Sequence, residues 1–158
     1  MKSVFKRIVA CTLLFVFAVS MSACVGTKNN EITVLINKFE NSCNKLDLNS
    51  MLDCLEPKMS ETIKVATGFV GMFAGKDTDE LLNSFAKLIM QDGPVDARSF
   101  FSSIKINVEN VLIDESVATA TSTVKYTISG EDYQKNAVFE CEYSESDKKW
   151  YIADIDIE

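Results

Sequence analysis

The chain is predicted to adopt an α+β fold, N-terminal helices packed on one face of a strongly curved, four-stranded antiparallel sheet. Three observations predict it. Between residues 31 and 89 apolar side chains recur at three- and four-residue steps, the period of helices with one buried stripe. From Phe100 onward the period changes to two and stays there to the end of the chain, as it does in strands. Within that second half the alternation slips twice by one residue, after Val108 and after Ile152, which is what β-bulges produce, and bulges bend a sheet. Helices followed by an antiparallel meander is an α+β order.

The first thirty residues stand apart from this pattern. Met1 to Arg7 carries Lys2, Lys6 and Arg7 and no acid, and the fourteen residues Ile8 to Met21 hold nothing more polar than Cys11, Thr12 and Ser20. A helix needs about 20 apolar residues to cross a bilayer, so this run fits the hydrophobic region of a secretory signal better than a span. Met21-Ser22-Ala23-Cys24 closes it. These four residues resemble the lipobox of bacterial lipoproteins, an apolar residue and two small residues before a cysteine. The resemblance implies that residues 1–23 are a signal peptide, that the Cys24 sulfur receives a diacylglycerol, and that Cys24 becomes the mature N-terminus. It implies a palmitate-labelled protein held on the outer, extracytoplasmic face of the cell membrane. Each buried methylene contributes about 0.8 kcal/mol, and two acyl chains give a stable anchor where one is marginal. Residues 24–30 then form a lipidated cysteine and a short polar tether, and residues 31–158 form the domain.

Along that domain Ile32, Leu35, Ile36, Phe39, Cys43 and Leu46 form one stripe, so Glu31 to Leu46 is predicted helical, with Asn30 as its cap. Asp47-Leu48-Asn49 breaks it. A short helix from Ser50 to Leu55, capped by Asn49 or Ser50, stops ahead of Pro57. A third stretch, Lys58 to Ala74, carries Met59, Ile63, Ala66, Val70 and Phe73 on one face and is loosened by Gly68 and Gly71. Thr78 caps a fourth, with Asp79 and Glu80 in its first turn and Leu81, Leu82, Phe85, Leu88 and Ile89 as its stripe, and Gly93-Pro94 ends it.

Four strands follow. Ile104, Ile106 and Val108 alternate before the first slip, after which Val111 and Ile113 continue the face. Asp114-Glu115-Ser116 is a turn, and Val117 to Ile128 shows Ala118, Ala120, Val124, Tyr126 and Ile128 on one side. A second turn spans Ser129 to Asp132. Tyr133 to Tyr143 places Ala137, Phe139, Cys141 and Tyr143 opposite Glu140 and Glu142, and the last strand runs Trp150, Ile152 and, after its slip, Ile155 and Ile157.

Taken together, Phe39 to Pro57, the run Ile106-Asn107-Val108-Glu109-Asn110-Val111, the strand through Ala118, Ala120, Val124 and Tyr126, and the terminal Lys149-Trp150-Tyr151-Ile152 resemble the nuclear-transport-factor-2-like (NTF2-like) superfamily, the cystatin-like cone. They are similar in particular to uncharacterised lipoproteins of Gram-positive bacteria that carry such a domain. The resemblance covers about residues 31–157 and rests on packing patterns. Enzymes of that superfamily, of isomerase and lyase type, imply a cavity holding a carboxylate or histidine base and a tyrosine or acid donor.

The chain has no histidine, which removes one general base and, with the absence of any CxxC spacing, leaves no metal-ligand pattern. Asp154 or Glu140 with Tyr126 or Tyr143 is the carboxylate–tyrosine pair that remains, but both acids fall out of phase with the apolar face, where a solvated strand exterior explains them. No catalytic residue, cofactor or metal is therefore assigned. Trp150 reads as core closure, and Met51, Met59, Met72 and Met90 as core filling. Of five cysteines, Cys43, Cys54 and Cys141 remain after the signal and the lipid site. Cys43 and Cys54 meet if two short helices fold back on each other, and an exported location permits a disulfide; the habit of free cysteine to behave as a small buried hydrophobe argues the other way, and spacing alone leaves both open. Loss of residues 1–23 removes three positive charges, so the net charge goes from −7 to −10. Such a domain is unsuited to nucleic acid or to electrostatic adhesion on anionic lipid. The expected function is a membrane-anchored domain that binds an envelope protein or a small apolar ligand without catalysis.

Overall fold

The computed structural model describes residues 29–66, 78–89 and 96–158. The expected signal peptide, Cys24 and the expected tether through residue 28, the glycines Gly68 and Gly71, and Met72, Met90 and Gly93-Pro94 lie outside the described residues. Five helices and four strands are described: α1 (29–44), α2 (Leu48–Leu52), α3 (Pro57–Ala66), α4 (Thr78–Ile89), α5 (Ala97–Ser103), β1 (Lys105–Asp114), β2 (Val117–Ile128), β3 (Glu131–Ser144) and β4 (Lys149–Ile157). The strands form one antiparallel meander in the order β1-β2-β3-β4.

The helices form where the stripe is, with caps that differ from those expected. Ile32, Ile36, Phe39 and Cys43 are buried along α1, and Asn30 is already inside the helix. The cap of α2 is Asp47, whose carboxylate accepts from the Ser50 backbone N–H at 3.1 Å and the Ser50 hydroxyl at 2.7 Å, because the left-handed Leu46 (φ 55) swings Asp47 into the capping position. Two hydrogen bonds to that exposed carboxylate hold it below its ordinary range. Leu55 leaves the helix to bridge Ile152, and Glu56 caps α3 by accepting the Lys58 and Met59 N–H groups at 3.0 and 3.2 Å, with Pro57 as the first helical residue, where its missing N–H costs nothing.

α5 is the element the period argument does not predict. Phe100 belongs to a helix: Asp96 accepts the Ser99 N–H at 3.0 Å, and Ala97, Phe100 and Phe101 are buried on the helix side facing the sheet. Beyond it the sheet follows expectation. The register shifts between Val108 and Asn110 on β1 and between Glu140 and Cys141 opposite Ala153 on β4, so both slips are bulges. The β2–β3 turn is shorter than expected, two residues, with Ser129 and Gly130 both at positive φ (54° and 84°), the geometry that matches the twist of a hairpin. The inner face of the sheet carries Ala118, Ala120, Val124, Tyr126, Ala137, Phe139, Cys141, Trp150 and Ile152, and all five helices contribute apolar residues to the same buried cluster. The fold is the predicted α+β cone.

Candidate functional site

The concave face of the sheet is where such an architecture has room for a site, and here that space holds aromatic side chains. Phe85, Phe100, Phe101 and Phe139 are buried, and three of them form a row of contacts with Tyr126: Phe85 stacks on Phe101 at 5.4 Å, Phe101 meets Phe100 edge-on at 5.0 Å, and Phe100 meets Tyr126 edge-on at 5.0 Å. Among the described residues the buried polar side chains are Ser42, Ser60 and Ser122, with no buried carboxylate. Ser122 is absent from the sequence reading, since serine at a strand's inward position looks like any polar residue; its Oγ is buried without a hydrogen-bond partner.

The sequence-derived acid–tyrosine pair is not assembled. Glu140 and Asp154 are directly opposite each other on the exposed outer face, and Asp154 Oδ1 accepts the Ile155 N–H. Tyr126 and Tyr143 lie on the inner side. Strand alternation thus puts the acids and the phenols on opposite faces of one sheet. Burial also pushes the Tyr126 hydroxyl upward, so it is a phenol at neutral pH.

Cys43, Cys54 and Cys141 are buried free thiols, and the Cys54 thiol donates to the Ser50 carbonyl at 3.2 Å. Burial raises all three, Cys141 to about 12, which keeps them protonated and unsuited to nucleophilic work. Among the described residues no group of acids and cysteines is placed to hold a metal ion, and no described helix is long and apolar enough to cross a membrane.

The two ends of the sheet are more informative than its middle. At the end where β4 begins, Trp150 is buried as predicted, meets Tyr143 edge-on at 5.3 Å and donates its indole N–H to Glu31 near the start of α1 at 3.2 Å. Nearby, Asp147 accepts the Tyr151 hydroxyl at 2.7 Å, a bond that holds the carboxylate below its ordinary range and raises the phenol. At the opposite end β1 starts late. The Thr127 N–H, with no β1 partner so far out, is taken by the Ser103 hydroxyl at 2.8 Å, and the Ile106 N–H on the free edge of β1 is taken by Glu40 of α1 at 2.8 Å. Two clefts of about 450 and 390 Å³ open there, both lined in part by Lys105 and Lys125.

No protein-family model matches the sequence, and no curated protein sequence does either. Solved structures do match in shape. One is an NTF2-like protein of unknown function from Shewanella oneidensis, with a TM-score of 0.50 and 10% identity over 81% of this chain and 96% of that one. Another is a five-substitution variant of Rd1NTF2_05, with a TM-score of 0.52 and 8% identity over 83% of this chain and 99% of that one. At such identity the likeness is one of fold, and the fold is NTF2-like.

Proposed function

We propose that the chain is a membrane-anchored, extracytoplasmic lipoprotein whose acidic NTF2-like domain binds a component of the cell envelope at its surface and carries out no catalysis. The observation that supports binding over chemistry is the filled inner face: aromatic rings occupy the described interior, and the two acids that a cavity mechanism would use, Glu140 and Asp154, are on the solvent side. The same filling favours a surface partner over a small apolar molecule held inside. The sequence Met21-Ser22-Ala23-Cys24 supports the anchor.

Chain geometry relates the anchor to the domain. Residues 24–28 precede α1, and five residues reach at most about 18 Å. The start of α1 is tied to Trp150 through Glu31, so a lipid on Cys24 brings the β4-start end of the sheet toward the bilayer and turns the β1-start end away. Cells expressing the Cys24→Ala chain are expected to accumulate precursor that incorporates no radiolabelled palmitate. Normal labelling of that variant overturns the anchor. Crosslinking of the wild-type chain in intact cells is expected to recover an envelope component, and recovery of cytosolic components alone overturns the location.

A further inference from the structure

We propose that the edge of β1 over residues 110–114 pairs antiparallel with the same edge of a second copy of this chain, joining two four-stranded sheets across a twofold axis. Strand parity identifies the groups available. The Ile106 N–H leaves the sheet to reach Glu40, so Ile106 turns its backbone groups away from β2, and alternate residues of β1 do the same. The register shift between Val108 and Asn110 moves that set by one, and beyond it Val111 and Ile113 face outward. The neighbouring strands agree. The Tyr143 N–H donates to the Ser116 carbonyl at 2.8 Å, which gives the even residues of β2 to β3 and leaves Val117, Thr119 and Thr121 to bond Asp114, Leu112 and Asn110.

Other edge positions of the sheet are blunted. Glu40 takes the Ile106 N–H, Ile152 exchanges hydrogen bonds with Cys54 and Glu56 at 2.8 Å, and the Asp154 carboxylate accepts the Ile155 N–H at 2.9 Å. Among the described residues the N–H groups of Val111 and Ile113 have no partner. Their side chains are half-buried against the core, and Leu112 between them, on the outer face, is 65% exposed. Unpaired amides beside an exposed apolar side chain form a template for another strand.

The occupant follows from self-complementarity, which a twofold interface demands. Setting Leu112 opposite its own copy places Val111 against the copy's Ile113 and Ile113 against the copy's Val111. Both outward-facing pairs then exchange their N–H···O bonds, and every edge group between the bulge and the Asp114-Glu115-Ser116 turn is used. Centring on Val111 instead sets Ile113 against the bulged Glu109, and centring on Ile113 sets Val111 against Glu115, whose φ of 53° has left the strand. In the favoured register the two Leu112 side chains meet at a non-hydrogen-bonded pair, with Cα atoms about 4.5 Å apart. Asn110 lies opposite Asp114 on either side of them, an amide against a carboxylate. Glu109 and Glu115 come together only at the two ends, so salt strengthens the association by screening them. So short an edge buries less than the ~1,200 Å² of a stable interface, which makes the dimer weak when dilute. The pairing rests on the register and not on the lipid anchor proposed above, which would only concentrate copies on one surface.

Full-length protein carrying Leu112→Cys is oxidised in neutral detergent micelles beside Gln134→Cys, an exposed position on β3, and the wild-type chain, whose natural cysteines set the background. Leu112→Cys is expected to form a disulfide-linked dimer at least about tenfold faster than either, because the two Cβ atoms come within bridging reach. Adding Val111→Pro deletes an edge N–H that β2 does not use and should slow the reaction about tenfold. In the wild-type chain, amide exchange at Val111 and Ile113 should slow as protein concentration rises, and slow further with added salt. The proposal is overturned if Leu112→Cys crosslinks no faster than Gln134→Cys, or if exchange of both amides is unchanged across dilution. It is equally overturned if the proline, in a chain with an unaltered urea midpoint, leaves the crosslinking rate as it was. None of these outcomes bears on palmitate labelling at Cys24, so failure here leaves the anchor reading standing.

Discussion

Each end of the sheet has an aromatic pair, and the two pairs are treated differently. At the β4 start, Tyr143 and Trp150 meet edge-on and are closed over by α1, with Glu31 accepting the indole N–H. At the β1 start, Tyr126 and Tyr133 stack face to face and the outer ring remains 40% exposed. Closure at the first end follows from length: α1 begins there, and the 54–56 segment also covers the β4 edge through Ile152, which exchanges hydrogen bonds with Cys54 and Glu56 at 2.8 Å. At the second end, among the described residues, Ser103 and Glu40 take up two backbone N–H groups and the outer ring stays partly exposed. One end is thus built for stability and the other is left available.

The largest effect should come from the closed end. Trp150→Ala removes a buried ring and its hydrogen bond and is expected to cost about 3–5 kcal/mol, read as a shift of the urea midpoint at unchanged slope. An unaltered midpoint would show that the closed end bears no load and erase the contrast. A smaller loss, about 1 kcal/mol, is expected for Glu31→Ala, because the stranded indole N–H lies close enough to the surface to recruit water. In the Trp150→Ala background that loss should vanish, since the acceptor then has no donor; a persistent loss would assign Glu31 to helix stability instead.

Most of the fold was legible because its signal is periodic. The two phase slips in β1 and β4 located both bulges, and the stripe of Ile32, Ile36, Phe39 and Cys43 located α1 and its buried face. Capping was harder to read, because Asp47, Asn49 and Ser50 are all good caps and the choice among them is made by the positive φ of Leu46, which no residue type announces. α5 was missed because seven residues span only two turns, so the adjacent Phe100 and Phe101 fit either period; Asp96 three residues ahead of Ser99 was the available clue. The Lys105–Lys125 pairing was beyond reach from the chain alone, since it depends on a register that the bulge at Val108 shifts by one residue. The clefts depend in turn on where β1 starts relative to α5.

The smallest effect should come from the open end, and it tests the comparison most sharply. Tyr133→Ala removes an aromatic side chain of the same class as Trp150, with a comparable ring contact, 5.6 Å against 5.3 Å. If contact geometry decided the energy, the two truncations would cost similar amounts. If burial decides it, Tyr133→Ala forfeits mainly the stacking contribution, about 0.5–1.5 kcal/mol, because much of its ring is already in water. The hydroxyl bond to Glu131 adds little, both partners being exposed. A midpoint shift well below that of Trp150→Ala, with Tyr126 keeping its contact to Phe100, is the expected outcome. A loss approaching 3 kcal/mol would mean that Tyr133 closes the core as Trp150 does, and the contrast between the two ends would then fail.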